Sequence, residues 1–600
     1  MSHTNIDAIT LSTIWHSMQS ACREVRHVID RTSQNFLIAQ LHDVSAGIWD
    51  ARAQTVAIPT GLPVQFIAAK FSIKAILDKF AGRIYPGDVF LTNDPYKGHC
   101  CHLPDWGFYR PVFYKDELLF FALARAHQMD TGGSYPGGYF PNGYDIHAEG
   151  ICIPPIKVFE KGKERQDIFE LIWNNVRWPE GVRVDNYALI AATKICEQRI
   201  INLIEKYGKE TVLGCVEEMV QRTERAVREE IRQMPDGVYT GESATDDDGS
   251  ELDVPVWVRC KVTIHGDEIT VDFSGSDSQR KGFVNSVYAS TYSNTLATIF
   301  LFLDPALAYF HNEGSMNPIQ VLAPEGSVVN PRYPATVGAS PVNVGTQVME
   351  SLLMAMSEAM PGRAIGAWGR HYSHFIYGFD PRIKQPYVQV LFEPDGGSGA
   401  VRGFDGYEGV TMLVTLGEAV KGDVETIEVR FPWRVETYEF ETDSCGAGEW
   451  RGASGLRWEM VNEGSPAGMS TGNAEGETVH GVGALGGQPA PFNRAYVQRD
   501  GKEIPIRAHR IYSLQPEDLL VKVTGGGAGV GNPRQREPVK VREDVLNGFV
   551  SIESARKIYG VVIDPVSSEV DLKATQRLRG NGKRERVKAK GKPRRRPRSK

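Results

Sequence analysis

Four of the fourteen histidines lie within residues 93–149, together with several aspartates. In this block, His102 and Asp105 belong to the tetrapeptide His-Leu-Pro-Asp, and His127 directly follows the apolar run 117–126. Two neutral imidazoles and one carboxylate suit Mn²⁺, Fe²⁺ or Zn²⁺ in a catalytic site that keeps coordination positions open. The types and order of these side chains favour a divalent-metal site formed by His102, Asp105 and His127.

The elements that must position these ligands are indicated by the same residues. A proline between His102 and Asp105 excludes a regular helix interior, so both are expected on a bent loop that can turn them inward. The run 117–126 is predicted to be a buried strand with His127 at its carboxyl end, and Asp130 is expected to orient the His127 ring. The alternative is that the histidines are ordinary core or turn residues and that Asp105 caps a turn.

Several shorter motifs suggest other chemistry but lack the setting that it requires. The pair His371 and His374 has no carboxylate immediately beside it, and the vicinal Cys100 and Cys101 lack a defined base for a thiol nucleophile. The glycine-rich run 481–486 is not followed by a helix that could hold a phosphate. No G-x-x-x-x-G-K-[ST] sequence occurs, which disfavours a self-sufficient P-loop ATPase.

The composition is that of a globular chain. It has 600 residues, of which 41% are hydrophobic and 24% charged, and this excludes collagen-like, coiled-coil and wholly disordered classes. The net charge of −7 is unevenly distributed, because residues 573–600 hold 14 of the 67 basic residues and one of the 74 acidic residues. The acidic remainder does not attract nucleic acid by its own field, so nucleic acid is not an expected partner. The basic end is expected to be a disordered tether.

The cysteines and the apolar runs indicate the cellular compartment of the protein. Eight cysteines without C-x-x-C spacing indicate a reduced chain rather than a disulfide framework. The sequence shows no amino-terminal signal pattern, and no run approaches eighteen uninterrupted apolar residues. We therefore expect a cytoplasmic protein that does not cross a membrane.

The pattern of apolar residues predicts an α+β class. Helical periodicity occurs over residues 7–35, 65–80, 186–234 with a break at Gly208, 292–303 and 347–359. Short apolar runs between turn residues predict strands between 36 and 130 and again from 237. From about Thr426 the chain is glycine-dense, which suits β-structure with close backbone packing. We expect a multidomain fold with mixed β-sheets, long helices and a Gly-rich, β-rich carboxyl-terminal region.

Changes in this pattern along the chain predict four regions. They are an α+β region with the metal site (1–235), a central α+β region (236–425), a Gly-rich β-rich region (426–565) and a basic disordered tail (566–600). The first boundary lies at Pro235, where the long helices end, and the second lies where glycine becomes frequent.

A series of landmark segments extends over residues 6–562. In order they are IDAITLSTIW, DRTSQN, GDVFLTNDPYKG, HLPD, ARAHQMDTGGSYPGG, AEGICIPP, NEGSMNPIQVLAPEGSVVN, YEFETDSCGAGEWRGASGL, GVGALGG, TGGGAGVGNPRQREP and ARKIYGVVID. Their content and order resemble the hydantoinase B type family, which includes the B components of N-methylhydantoinase and 5-oxoprolinase, the acetone carboxylase alpha subunit and the acetophenone carboxylase subunit of this type.

The resemblance implies a metal and its ligands. In the acetone carboxylase member, a manganese-type ion is held by a His-x-x-Asp sequence and a later histidine, and the matching positions here are His102, Asp105 and His127. The chain departs from the common family text just before them, where the sequence His-Cys-Cys at residues 99–101 replaces small residues. The implied cofactor is a divalent cation, with Mn²⁺ first and Zn²⁺ or Fe²⁺ as alternatives.

The resemblance also implies partner subunits. Family members work beside a larger hydantoinase A type subunit that binds ATP with Mg²⁺, and smaller subunits complete a hetero-oligomeric complex. This division of labour agrees with the missing P-loop. The partner would phosphorylate a poorly reactive carbonyl compound or bicarbonate, and this chain would host the carbon chemistry that follows.

Within the family, the sequence looks most like the acetophenone carboxylase type. Residues 99–139 are rich in Trp, Phe and Tyr that could line an aromatic pocket, although ordinary core is the competing interpretation. The implied reaction is ATP-dependent carboxylation of an aryl methyl ketone with bicarbonate to a β-keto acid. Two alternatives stay open: ATP-dependent hydrolysis of a cyclic amide, as in N-methylhydantoinase or 5-oxoprolinase, and a non-catalytic scaffold subunit.

Overall fold

A computed structural model describes residues 6–58 and 61–580, and this part begins with a long amphipathic helix. The helix, α1, spans Ala8–Thr32. The Asp7 carboxylate caps it by accepting two hydrogen bonds of 3.0 Å from backbone N–H groups of the first turn. The helix and the cap that the sequence predicts over 7–35 are therefore confirmed.

A seven-stranded sheet forms the centre of the amino-terminal region. In sheet order its strands are Thr55–Ala57 (β2), Val44–Asp50 (β1), Glu117–His127 (β5), Asp105–Tyr114 (β4), Val89–Thr92 (β3), Ile156–Glu160 (β6) and Lys163–Glu164 (β7). Every neighbouring pair is antiparallel. The strands β4 and β5 are buried along most of their length, which explains the continuous apolar run at 117–126.

Helices and two separate cores cover the faces of this sheet. The remaining helices of this region are Phe36–Ala39 (α2), Pro63–Ile67 (α3), Ala69–Lys79 (α4), Gln166–Trp173 (α5), Pro179–Tyr207 (α6) and Lys209–Arg232 (α7). Residues of α1 and α6 share one core with Ile48 and Ala122, whereas α3 and α4 share the other with Trp49 and Phe121. Successive strand residues point to opposite faces, so one strand supplies both cores.

Two predicted helices differ from expectation in detail. The helix expected over 65–80 is divided at Ala68 into α3 and α4. The long helical stretch expected from 186 begins earlier, at Pro179, because proline is well suited to the first turn of a helix. Its break falls at Gly208 as predicted, since this residue adopts φ 84° between α6 and α7.

The other strands form three further sheets. A mixed sheet has the order Ile319–Leu322 (β11), Glu268–Asp272 (β10), Val256–His265 (β9) and Gly237–Thr245 (β8), with β10 and β11 parallel. An antiparallel sheet has the order Gln385–Val390 (β13), Phe375–Asp380 (β12), Ala467–Ser470 (β16) and Ile511–Leu514 (β19). A second has the order Trp433–Phe440 (β14), Leu456–Asn462 (β15), Leu519–Val523 (β20), Arg494–Arg499 (β17) and Lys502–Ile506 (β18). The expected α+β class is confirmed.

The helices after residue 236 pack between and beside these three sheets. They are Tyr288–Phe300 (α8), Glu313–Met316 (α9), Asn343–Ala359 (α10), Val424–Arg430 (α11), Pro538–Leu546 (α12) and Ile552–Lys557 (α13). The buried α10 lies across β8 and β9. Its close approach requires Gly241 in β8, because a Cβ atom there would lie 1.9 Å from the Ser351 carbonyl oxygen.

The glycine-dense segments bring backbone against backbone, as their composition predicts. A Cβ atom on Gly452 would lie 1.8 Å from the carbonyl oxygen of Gly527, so no larger residue fits there. Pairing of β12 with β16 also links strands on either side of residue 425, the position of the second predicted boundary. The four predicted regions remain predictions.

A disordered tail is expected from residue 566, but the chain is folded beyond that position. Residues 572–580 are helical. The Thr575 hydroxyl accepts a hydrogen bond of 3.0 Å from the backbone N–H of Val562, and Arg579 donates to the Arg536 carbonyl oxygen at 2.7 Å. The rest of the predicted tail, 581–600, lies outside the described residues. Across the part of the chain that the structure describes, no helix is both long enough and apolar enough to cross a bilayer.

Candidate metal centre

The three predicted ligands meet in the interior of the protein. One ligand atom from each of His102, Asp105 and His127 lies within 4.8 Å of the other two. The Asp105 Oδ1 atom is 3.0 Å from His102 Nε2 and 3.7 Å from His127 Nδ1. Each of these residues is at most 3% exposed. The structure therefore brings these side chains together at a buried site.

The pairing of β4 with β5 positions two of these residues. Asp105 is the first residue of β4 and His127 is the last of β5, and the two are direct partners in the register. His102 reaches them from the turn before β4, where the Pro104 carbonyl oxygen accepts a hydrogen bond of 2.8 Å from the backbone N–H of Gln128. A proline-bent loop and a strand end thus present the side chains, as the sequence predicts.

A backbone acceptor fixes the ring of His102. Its Nδ1 lies 2.7 Å from the Gly338 carbonyl oxygen, to which it donates. The other ring nitrogen, Nε2, faces Asp105: it carries the lone pair when the ring is neutral and donates to the Asp105 carboxylate when the ring is protonated. Metal-ligating histidines are commonly held in this way, with one ring nitrogen bonded to a carbonyl or carboxylate and the other left for the ion.

Burial and mutual charge set the protonation of the trio. Burial, reinforced by the nearby His102, lowers the pKa of His127 to about 3, so the His127 ring is neutral at physiological pH. Burial also acts to lower the pKa of His102, but the Asp105 carboxylate outweighs it and leaves that pKa above the ordinary value. Burial acts to raise the pKa of Asp105, yet His102 keeps it below the ordinary value.

Two further polar residues contact the trio and were missed from the sequence. Asp43 Oδ2 lies 3.7 Å from His127 Nδ1. Gln65 Nε2 donates to Asp43 Oδ1 at 2.6 Å and to Asp105 Oδ1 at 3.2 Å. Burial, together with the charge of Asp105, raises the pKa of Asp43 to about 8. Two buried carboxylates that share one donor favour either a proton or a cation between them.

The trio lines a cavity of about 40 Å³, which exceeds the space that a single water needs. The side chains of Tyr139, Phe375 and Phe392 form much of its apolar wall. Four buried polar atoms of lining residues have no hydrogen-bond partner within residues 6–58 and 61–580: Gln65 Oε1, Asp105 Oδ2, His127 Nε2 and Asn473 Oδ1. Because buried polar atoms are nearly always partnered, these atoms and the donor set fit a hydrated divalent cation.

Other residues of the same block are directed elsewhere. The sequence predicts that Asp130 orients the His127 ring, and this prediction is wrong. Asp130 instead accepts a hydrogen bond of 3.1 Å from Arg177. The buried thiols of Cys100 and Cys101 contact the Ser72 hydroxyl and the Val64 carbonyl oxygen, respectively. The His-Cys-Cys sequence that departs from the family pattern therefore leaves the trio intact.

Comparison with curated proteins finds relatives over nearly the whole chain. The sequence is 33% identical to the beta subunit of the caprolactamase from Pseudomonas jessenii, over 95% of this chain and 98% of that protein. It is 31% identical to the B component of a provisionally assigned D-/L-hydantoinase from Pseudomonas sp. strain NS671, over 96% and 98%. Identity to the acetophenone carboxylase delta subunit of Aromatoleum aromaticum is 26%, over 84% of this chain and 79% of that one.

Solved structures show the same fold. The crystal structure of the ATP-dependent caprolactamase from Pseudomonas jessenii matches with a TM-score of 0.89 and 30% identity, over 96% of this chain and all of that chain. A nucleotide-free acetone carboxylase structure matches with a TM-score of 0.88 over 98% of this chain and 84% of that one, and at 20% identity it supports the fold alone. The family model described as hydantoinase B/oxoprolinase matches residues 7–533. The chain therefore belongs to the hydantoinase B/oxoprolinase family, as its landmark segments predict.

Proposed function

We propose that this chain is the metal-holding subunit of an ATP-dependent complex that hydrolyses a cyclic amide, either a lactam or a hydantoin. The observation that carries the proposal is the buried trio His102, Asp105 and His127, whose unpaired polar atoms face one small cavity. The relatives named as caprolactamase and hydantoinase subunits, at 33% and 31% identity, support the choice of a cyclic amide.

The proposed cofactor is a divalent cation, with Mn²⁺ as the first candidate and Zn²⁺ or Fe²⁺ as alternatives. The trio would hold it, with the Asp43 carboxylate beside it. When bound, such a cation polarises a carbonyl or phosphoryl oxygen. The chain itself fixes the His102 ring through Gly338, keeps His127 neutral and lines much of the cavity with apolar side chains.

The proposed partner is a hydantoinase A type subunit that binds ATP with Mg²⁺, with smaller subunits in the same complex. The absence of a P-loop sequence supports a nucleotide site on another chain. The relatives are themselves named as subunits, which supports a hetero-oligomer.

All eight cysteines are free thiols, which supports a reducing compartment, and we propose that this is the cytoplasm.

A second candidate is carboxylation of an aryl methyl ketone with bicarbonate, the reaction expected from the landmark segments. The stacked rings of Tyr139 and Phe375, with centroids 4.3 Å apart at the cavity wall, favour it because they offer an aromatic surface. The similarity to an acetophenone carboxylase subunit adds support. Phosphorylation of the enol would make the weakly acidic ketone a nucleophile for carbon dioxide.

One experiment separates the two candidates. The chain is purified with its partner subunits, and ATP hydrolysis is measured with a lactam, a hydantoin or an aryl methyl ketone in the presence of ¹⁴C-bicarbonate. Cyclic-amide hydrolysis predicts ATP turnover and ring opening with lactam or hydantoin and no fixed label. Incorporation of label from bicarbonate into an acid product when the ketone is supplied, without ring opening of either amide, would favour the carboxylase instead.

The scaffold alternative is tested on the same complex by removing one ligand. His102→Ala is expected to abolish turnover and lower the bound metal, measured by elemental analysis. His147→Ala is the matched control, because His147 lies in the same sequence block but is exposed, and its ring forms a hydrogen bond to the Tyr333 hydroxyl rather than to the trio. Undiminished turnover by the metal-depleted His102→Ala complex would instead support a scaffold.

A further inference from the structure

A histidine from the second half of the chain lines the same cavity as the predicted metal ligands. His371 follows α10 in the chain and is 2% exposed. In the sequence, the His371-Tyr-Ser-His374 motif lacks an adjacent carboxylate, but the fold supplies one from a distant segment. The Asp395 Oδ2 atom lies 3.0 Å from His371 Nδ1.

The Asp395 carboxylate is held in place and stays charged. Its Oδ1 accepts a hydrogen bond of 2.9 Å from the backbone N–H of Tyr372, and its Oδ2 accepts one of 3.2 Å from the Ser373 hydroxyl. Burial acts to raise the pKa of Asp395, but His371, the Tyr372 N–H and the charge of Lys522 outweigh it, so the pKa lies below the ordinary value. Asp395 is therefore an anionic acceptor for the Nδ1–H of His371.

This hydrogen bond leaves the other ring nitrogen as the one that can take a proton. The Asn473 side-chain amide donates to His371 Nε2 at 2.9 Å, which agrees with a lone pair on that nitrogen. Asn473 also lines the cavity, and its Oδ1 has no partner in the described part of the chain. A cavity-facing imidazole backed by a buried carboxylate is the arrangement of a general base.

We propose that His371 is the general base and acid for opening of the cyclic amide, and that Asp395 is its positioning residue. The inference rests on the proposed function and adds to it the side chain, His371, that transfers protons between water and the substrate. Asn473 Oδ1 has free acceptor capacity, and the N–H that the ring nitrogen gains with the first proton is a suitable donor to it.

The protons and electrons balance for a cyclic amide that is phosphorylated on its carbonyl oxygen. Water adds to the activated carbon, and its first proton passes through His371 Nε2 to the ring nitrogen. The second proton follows the same path from the new hydroxyl group as the carbon–nitrogen bond breaks, and nitrogen keeps the electron pair. The products are an amine and an acyl phosphate, and a second water converts the acyl phosphate to a carboxylate and phosphate.

Other ionisable groups lie behind the pair rather than in the cavity. Lys522 is fully buried, and its Nζ donates to the Tyr372 carbonyl oxygen. Lys421 Nζ donates to the backbone oxygen of Asp395 at 2.6 Å. Glu393 and His374 are buried nearby. None of these four is among the cavity-lining residues, which leaves His371 as the basic group of this cluster that reaches the cavity.

The test compares variants in the purified complex with a lactam or hydantoin substrate. His371→Gln should lower kcat by about 100-fold to 10,000-fold, leave the metal content unchanged and abolish the acidic limb of the pH profile of kcat/KM. Asp395→Asn should also lower kcat and shift that limb. His371→Ala should regain turnover when imidazole is added, which separates a lost base from a damaged fold.

The matched control is His374→Phe. His374 belongs to the same motif, is fully buried and forms no hydrogen bond through either ring nitrogen in the described residues, so this variant should keep wild-type kcat and pH profile. Retention by His371→Gln of kcat within about threefold of wild type, with the acidic limb intact, would overturn the assignment. Lack of ring opening by the wild-type complex would instead overturn the proposed function, and this assignment with it.

Discussion

At the scale of single residues, the candidate centre depends on which buried groups carry protons. His127 is kept neutral by burial, while Asp105 stays charged through its contact with His102. Asp43 is the opposite case, because burial beside a second carboxylate raises its pKa to about 8. A bound cation would replace that proton, so metal binding at this site is expected to release a proton from Asp43.

Asp43→Asn should weaken metal binding while the trio remains. Removing a carboxylate that contacts a ligand ring is expected to lower metal affinity about 10-fold to 100-fold, measured by competition with a chelator at about pH 8. Asp116→Asn, in an exposed turn between β4 and β5, is the control. Equal affinities for the two variants would show that Asp43 plays no part in binding.

Glu149→Gln should change how stability depends on pH. Burial raises the pKa of Glu149 to about 8, and its Oε1 accepts a hydrogen bond of 2.8 Å from the backbone N–H of Val337. The folded chain therefore binds this proton more tightly than the unfolded chain, and the free energy of unfolding falls as the pH rises from about 5 to about 8.

The wild type and Glu149→Gln should thus have similar stability near pH 5. At about pH 9 the variant should be more stable by about 2–5 kcal/mol, at roughly 1.4 kcal/mol per unit of pKa. Denaturant unfolding at the two pH values measures this difference, with the exposed Glu205→Gln as control. A variant less stable than wild type at the higher pH would contradict the expectation.

At the scale of elements, two short connections set the positions of their neighbours: the turn before β4 and the link between α6 and α7. The turn from His102 to Asp105 places both ends of the His-x-x-Asp sequence on one side of the β4–β5 pair. The link between α6 and α7 is the single residue Gly208, with φ 84° and ψ 145°. This backbone conformation is essentially restricted to glycine.

Gly208→Ala should therefore destabilise the helical pair. Space is not the reason, because a Cβ atom there would meet only the Thr211 hydroxyl, at 3.9 Å. The strained backbone should cost about 1–3 kcal/mol of unfolding free energy, with faster hydrogen exchange in α6 and α7. Gly362→Ala, where nothing lies within 4 Å and φ is not positive, should change stability by less than about 0.5 kcal/mol.

At the scale of the whole molecule, the cavity is assembled from two separate parts of the sequence, residues 37–139 and 341–473. The trio comes from β4, β5 and the turn before β4, whereas His371 and Asn473 come from segments after α10 and β16. Gly338, from the segment before α10, holds the His102 ring. A pocket closed by segments this far apart exists only when the whole chain is folded. Mutations that loosen either half are therefore expected to affect the site.

Two truncations test how the carboxyl-terminal helix contributes. A chain that ends at residue 572 loses the Thr575 and Arg579 contacts, whereas a chain that ends at residue 580 keeps them. Both lack 581–600, so their difference reports on residues 573–580 alone. The shorter chain should have the lower Tm by thermal unfolding, and identical values would show that the helix adds no stability.

Local sequence patterns were sufficient to predict the main elements and the proximity of the trio. Periodicity located α1 and the break at Gly208, because both depend on neighbouring residues. His102, Asp105 and His127 were predictable because a short stretch of chain and one strand pairing join them. The α+β class followed from the same local patterns.

The surroundings of that trio, by contrast, depend on how the folded chain packs. Asp43, Gln65 and the His371–Asp395 pair join it through contacts between segments that are far apart in the chain. Local patterns carry no information about such contacts, since they are set by the packing of sheets and helices. The carboxylate that His371 lacks in its own motif comes from residue 395, so no inspection of the motif alone could reveal the pair.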